Sequence, residues 1–296
     1  MSLRILKDRF ACHISAFLSA CCVVVLILIA IGLTYKSFPI LHDHSLSELL
    51  FSTIWSPMKG KFGFLSFIIS TIQITTFSLL IAFPICLLSA TYLVELAPRS
   101  ILKIFLPLID ILAGVPSVIY GIWGVLMIVP FVRDYVAPFF GYTTSGYCIL
   151  TGSLVLAIMV VPVMMHLLIQ VLQAVPHELR DSTLSLGATH WQMIKLVVWR
   201  KCLPGIMATT ILGISKAIGE TIAVLMVVGN VVQIPKNIFE SGYPIPALIA
   251  NNYGEMLSIP QYDAALMLAA LLLLIVILFF NMVSAYVLKR VTKSIT

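Results

Sequence analysis

The chain has 296 residues, 60% hydrophobic and 10% charged, with 18 Lys and Arg against 12 Asp and Glu for a formal charge of +6. A soluble domain carries about 25% charged residues, so this chain cannot cover itself with a water-facing surface. Its hydrophobicity excludes disorder as well. What remains is an all-α polytopic membrane protein, a single domain over residues 1–296.

A membrane-crossing helix needs about 20 apolar residues, and six stretches qualify: 12–35, 65–93, 104–131, 147–173, 204–230 and 264–288. Leu18-Ser19-Ala20-Cys21, in the first, has the form of a lipoprotein cleavage site. The strongest apolar run, Cys22 to Leu33, follows that cysteine, whereas a signal's apolar core precedes its cleavage site. The first helix is therefore expected to be retained. A long mixed connection follows, Lys36 to Lys61, containing Trp55-Ser56-Pro57. The link between the third and fourth spans holds Pro138, Gly141 and Gly146, a plain turn-rich loop. Between the fifth and sixth, Ala247 to Tyr253 reads as a short interfacial helix. The six cysteines have no metal-ligand spacing and read as small core hydrophobes.

Basic residues are unequally shared between the two sides. Twelve (Arg4, Lys7, Arg9, Arg99, Lys103, Arg180, Lys195, Arg200, Lys201, Lys289, Arg290 and Lys293) fall with the termini and the loops 2–3 and 4–5, and five on the other side. The positive-inside rule puts both termini in the cytoplasm. The basic excess is a topology signal and does not imply nucleic acid.

The cytoplasmic segment, residues 174–202, is expected to start a helix after Pro176, break at Gly187 and resume with Trp191, Ile194 and Lys195. Acids in the first turns suit the helix dipole and Gly suits a helix end. Apolar Leu184 and Leu186 leave two readings open: a helix that sits in a partner's groove, or an amphipathic linker on the lipid surface.

This segment resembles the coupling loop of ATP-binding-cassette importer permeases, whose signature is E-A-A, three residues, then G. Asp181-Ser182-Thr183 stands in the E-A-A place, followed by Leu184, Gly187 and Ala188. Leu112 to Gly121, with Gly114-Val115-Pro116-Ser117, and Ala217-Ile218-Gly219-Glu220-Thr221 resemble the phosphate branch. Trp55-Ser56-Pro57, Phe62-Gly63 and Ala247 to Asn252 resemble its PstC-type members. The resemblance implies a type I importer architecture in a bacterial inner membrane. It also implies a PstA-type sister permease, two ATP-binding subunits that hold ATP and Mg, and an external phosphate-binding protein. In that branch the position of Lys216 is commonly Arg. Lys keeps the charge and gives up the planar fork.

Three formal charges lie inside the spans: Asp110, Lys216 and Glu220. Such residues normally face protein or a water-filled path. Lys216 and Glu220 at i and i+4 are expected on one helical face within pairing reach. They are read as a cation lining an anion path and the carboxylate that moderates it, with Thr221 beside them; a self-neutralising pair is the alternative. Pro116 is expected to kink the third span, with a broken helix as the alternative and Ser117 as a lining candidate. Thr71, Thr75 and Ser78 form a hydroxyl stripe that reads as helix glue, Thr71 being its best lining candidate. His166 has no ligand partner at helical spacing, and the place of Asp110 is left open.

No G-x-x-x-x-G-K-S/T loop, G-x-S-x-G elbow or H-E-x-x-H occurs, so no enzyme chemistry is assigned to this chain and no cofactor or metal is expected in it. The reading is a permease subunit of an ATP-driven phosphate importer. The alternatives are a similar subunit for sulfate or phosphonate and a stand-alone ion-coupled carrier.

Overall fold

The computed structural model describes the backbone of residues 2–254 and 260–295, with side chains at 10, 12–254, 261–287 and 289. The side chains of Arg4, Lys7, Arg9, Arg290 and Lys293, counted for topology, therefore lie outside the described residues. Helix α1 (Ser2–Asp43) runs through Pro39, and α2 (Leu46–Phe51) starts where the Ser45 hydroxyl accepts a hydrogen bond from Glu48 N. A small hairpin follows, β1 (Trp55–Ser56) antiparallel to β2 (Lys61–Phe62), with Trp55 opposite Phe62. Helix α3 (Leu65–Thr91) continues into a π-helical turn, Tyr92–Leu96.

The next helices are α4 (Arg99–Gly114) and α5 (Ser117–Trp123). The latter is prolonged by π turns and by α6 (Val129–Phe131) and α7 (Ala137–Phe139). Then come α8 (Ile149–Gln173), α9 (His177–Ser185), α10 (His190–Met193), a π turn, α11 (Trp199–Gly219), α12 (Ile222–Val227), α13 (Ile245–Asn252) and α14 (Pro260–Ile295).

Among the described residues six helical stretches are long and apolar enough to cross a membrane. They differ from the sequence expectation at two points. Inside 104–131 the helix breaks, because Val115 and Pro116 adopt extended backbone with ψ of 128° and 140°. Proline has no N–H to continue the ladder and steers the residue before it out of the helical region. The expected kink is a full break, and the long apolar helix is Ser117–Phe139. Inside 204–230 the helix ends at Gly219, and Glu220 is extended.

The core is built around α8, which packs against α3, α4, α11 and α12. Leu168, Ile169 and Leu172 are fully buried there, and 56% of its apolar window is buried. The corresponding window of α1 is 0% buried, so its Val23 to Ile29 face outward, the reverse of a soluble fold. At the far end Trp55 sits among Phe62, Phe64 and Phe67 with centroids 5.2–5.7 Å away. Helix α13 confirms the short helix expected near Ala247, but Ile245, Ala247 and Leu248 are buried against α3 and α14. It is a packed cap.

Candidate functional site

Both helix breaks come together. Helices α5 and α12 pack against one another. A Cβ on Gly121 would lie 2.6 Å from Met226 Sδ and 3.2 Å from Ala223 Cα, and one on Gly124 3.0 Å from Val227. Glycine here permits the close approach. Residue numbers rise together along the contact, so the pair is parallel. The breaks at Val115–Pro116 and Glu220–Thr221 therefore lie at the same end. Val129, Val155, Met159, Ala223 and Val227 fill the space beneath. Across the first break Tyr120 Oη donates to Leu112 O at 2.8 Å, a carbonyl that also accepts from Val115 N at 3.3 Å. At the second, Thr221 Oγ1 donates to Gly219 O at 3.3 Å.

Lys216 sits in the last turn of α11, where the carbonyl end of the helix favours a cation. Its expected pairing with Glu220 is not found: among the described residues no ion pair joins them. The i, i+4 argument assumed a continuous helix, and the extended Glu220 backbone turns that carboxylate off the shared face. Lys216 and Glu220 have no side-chain partner among the described residues, and both are half-buried. Ser117, at the start of α5, and Thr221 stand at the paired breaks.

Thr71 is elsewhere. Its hydroxyl donates to Phe67 O at 2.7 Å and accepts from Ile245 N at 3.0 Å, so it anchors the start of α13. It borders an apolar cavity of about 890 Å³ between α3, α11 and α14, lined by residues such as Leu79, Phe83, Ile214 and Phe280. Ser78 donates to Thr75 O at 2.9 Å within α3 itself, and both residues are buried. Asp110 finds its place beside His166, whose Nδ1 lies 3.0 Å from the carboxylate, near enough for charge pairing but off the line of a straight hydrogen bond. Gln170 Nε2 lies 2.8 Å from the other ring nitrogen.

The second candidate surface is the α9–α10 segment. Helix α9 ends at Gly187, φ +84°, in a Schellman arrangement: Gly187 N donates to Leu184 O at 3.0 Å and Ala188 N to Thr183 O at 3.4 Å. Thr189 and Gln192 then form a reciprocal capping box that starts α10. Ser182 and Thr183, which replace the Ala-Ala of the signature, turn their hydroxyls back onto Glu178 O and Leu179 O at 2.6 and 2.7 Å. Their polarity is thus spent within the helix. Leu184 packs inward, while Leu186 is 89% exposed and Leu179 and Trp191 are exposed beside it. Trp191 meets Trp199 edge to face at 5.6 Å, and Trp199 Nε1 donates to Thr91 at 3.0 Å.

Sequence reasoning missed one feature here. Arg180, counted as a loop cation, is buried and bound to Glu95 at 2.7 Å. Its place three residues into a short helix gave no signal, because the partner lies 85 residues earlier.

Two broken helices pack in parallel within a six-span bundle, with an exposed helix–Gly–helix outside the spans. Residues 82–293 match the family described as binding-protein-dependent transport system inner membrane component, and the chain belongs to that family. It is therefore a multi-pass inner-membrane protein. It is 36% identical over 239 residues to the phosphate transport system permease protein PstC of Xylella fastidiosa, covering 75% of this chain and 72% of that one. It is 32% identical over 289 residues to PstC of Mesorhizobium japonicum, covering 92% and 88%. A probable PstC of Methanocaldococcus jannaschii is 30% identical over 271 residues, covering 86% and 85%. The fold is shared with the inward-facing MetNI methionine ABC transporter, at a TM-score of 0.52 and 18% identity over 75% of this chain and 91% of that one.

Proposed function

We propose that this chain is the PstC-type permease subunit of an ATP-driven phosphate importer, paired with a PstA-type sister, two ATP-binding subunits and an external phosphate-binding protein. The kinship with PstC permeases across most of the chain supports the phosphate assignment. The observation that carries the mechanism is the half-buried, unpaired Lys216 in the last turn of a helix that breaks inside the bundle.

An intramembrane cation without a carboxylate partner is costly unless it meets water or an anion. Lys216 supplies a compact positive charge to phosphate passing the breaks, and as a point charge it binds without a rigid bidentate grip. That suits a conduit, which must release what it binds. Ser117 and Thr221 offer hydroxyls at the same level, and Glu220 limits how firmly an anion is held. Thr71, with its hydroxyl committed to α13, takes no part in this path.

Both termini and the α9–α10 segment face the cytoplasm, where the exposed Leu186, Leu179 and Trp191 fit an apolar groove on an ATP-binding subunit. Asp181, Ser182, Thr183, Leu184, Gly187 and Ala188 form that docking helix and its end. ATP and Mg are held by the partner subunits, and no covalent step belongs to this chain. The test is uptake by the purified complex in proteoliposomes. ATP-dependent accumulation of labelled phosphate that requires the binding protein and is unaffected by excess sulfate is expected. Accumulation without any ATP-binding subunit would overturn the reading in favour of an ion-coupled carrier.

A further inference from the structure

Arg180 of α9 is 7% exposed, although its helix lies outside the membrane-crossing stretches. Its Nε donates to Glu95 Oε2 at 3.0 Å and its Nη2 to Glu95 Oε1 at 2.7 Å, a two-pronged pair. The side chains are 9% and 3% exposed. Nη2 also donates to Leu172 O at 2.9 Å and Nη1 to Val175 O. Glu95 stands in the π turn that prolongs α3, and Leu172 and Val175 stand at the end of α8. One guanidinium thus ties its own helix to the end of α3 and to the end of α8. Leu93, Leu172, Val175 and Cys202 are buried around these elements.

Helix α9 does not need this pair to be a helix. Pro176 opens it and the Schellman turn at Gly187 closes it. Nor is a buried ion pair in general a net source of stability, since desolvation offsets the attraction. What the pair supplies is fixed geometry. A planar fork on a carboxylate allows one relative orientation, whereas an apolar contact allows sliding.

We propose that Arg180 and Glu95 are the positioning pair that locks α9 to α3 and α8, so that a displacement imposed on α9 is carried into the bundle as a rigid-body movement. This rests on the reading of α9 as the ATPase-docking helix. Neither residue touches solute. Their effect is on how much transport each ATP produces. Two-state elements respond to such links because packed interfaces shift between discrete arrangements and do not deform smoothly.

The test uses the full complex in proteoliposomes, with ATP hydrolysis and phosphate uptake measured in parallel for the unmodified permease, Glu95→Gln, and the double variant Glu95→Met with Arg180→Met. In Glu95→Gln, hydrolysis within about twofold of the unmodified complex and uptake per ATP reduced by about tenfold are expected, in the range for residues that couple sites without contacting ligand. The double Met variant leaves no buried unpaired charge, so it separates positioning from stability. It is expected to assemble and to be uncoupled at least as strongly. An unchanged uptake-to-ATP ratio in the double variant would overturn the proposal, whether or not Glu95→Gln assembles. Hydrogen exchange on the same complexes should show faster exchange over residues 177–185 in Glu95→Gln, and unchanged protection would also count against it. An unmodified complex without ATP-driven uptake would instead overturn the docking reading, and the linkage with it.

Discussion

Gly187 offers a substitution series whose outcome follows from one angle. Its φ of +84° lies in the left-handed region, and no atom stands within 4 Å of where a Cβ would be. Space is therefore not the constraint, and only backbone conformation is. A residue with a Cβ costs about 1–2 kcal/mol in that region, with Asn among the least penalised. That cost disfavours the Schellman end of α9 by about 5- to 30-fold relative to glycine. The bonds at stake are Gly187 N to Leu184 O and Ala188 N to Thr183 O. They hold Leu186 at the surface and deliver the chain to the Thr189 capping box. The series Asn, Ala, Val should lower the affinity of the permease for its ATP-binding subunits in that order, with Val the weakest. The assay is titration of ATP-binding subunit onto permease in nanodiscs, paired with ATP-driven uptake. Unchanged affinity for Gly187→Val would refute the claim that this helix end is a docking element.

Two further substitutions separate docking from folding. Leu186 is 89% exposed, so Leu186→Ala should leave the thermal stability of the isolated permease unchanged. It should weaken ATPase docking by up to about 1.5–3 kcal/mol if the side chain is fully buried in a groove, read from the same titration. Thr71→Val removes the acceptor for the buried Ile245 N–H. It should destabilise the protein by about 1–3 kcal/mol, seen as a lower melting temperature in detergent, with the KM for phosphate uptake unchanged.

The six apolar stretches and the helix–Gly–helix were legible because hydropathy over a long window and glycine at a helix end are local signals. Backbone direction inside an apolar stretch is not such a signal. Pro116 announced a disturbance without saying how large, and Gly219-Glu220-Thr221 contains no proline at all, so the fifth span read as continuous. The Lys216–Glu220 pairing failed for that reason: helical spacing predicts neighbours only while the helix lasts. Arg180 was counted for topology alone, and its burial was not legible because its carboxylate comes from another helix. Asp110 and His166 were likewise brought together by the packing of α4 on α8, which no spacing rule reports. Thr71 was read as the best lining candidate of a hydroxyl stripe. The donor it receives, Ile245 N, is a backbone group on a distant loop and invisible to composition.

Uptake kinetics on the assembled complex test whether Lys216 presents an unpaired cation to phosphate at the paired helix breaks. Lys216→Gln keeps a polar side chain of similar length and removes the charge, while Lys216→Arg restores charge in another shape. Complexes of normal composition are expected in both cases, with phosphate uptake lost in Lys216→Gln and retained in Lys216→Arg. Uptake by Lys216→Gln at the unmodified rate would contradict that role of Lys216.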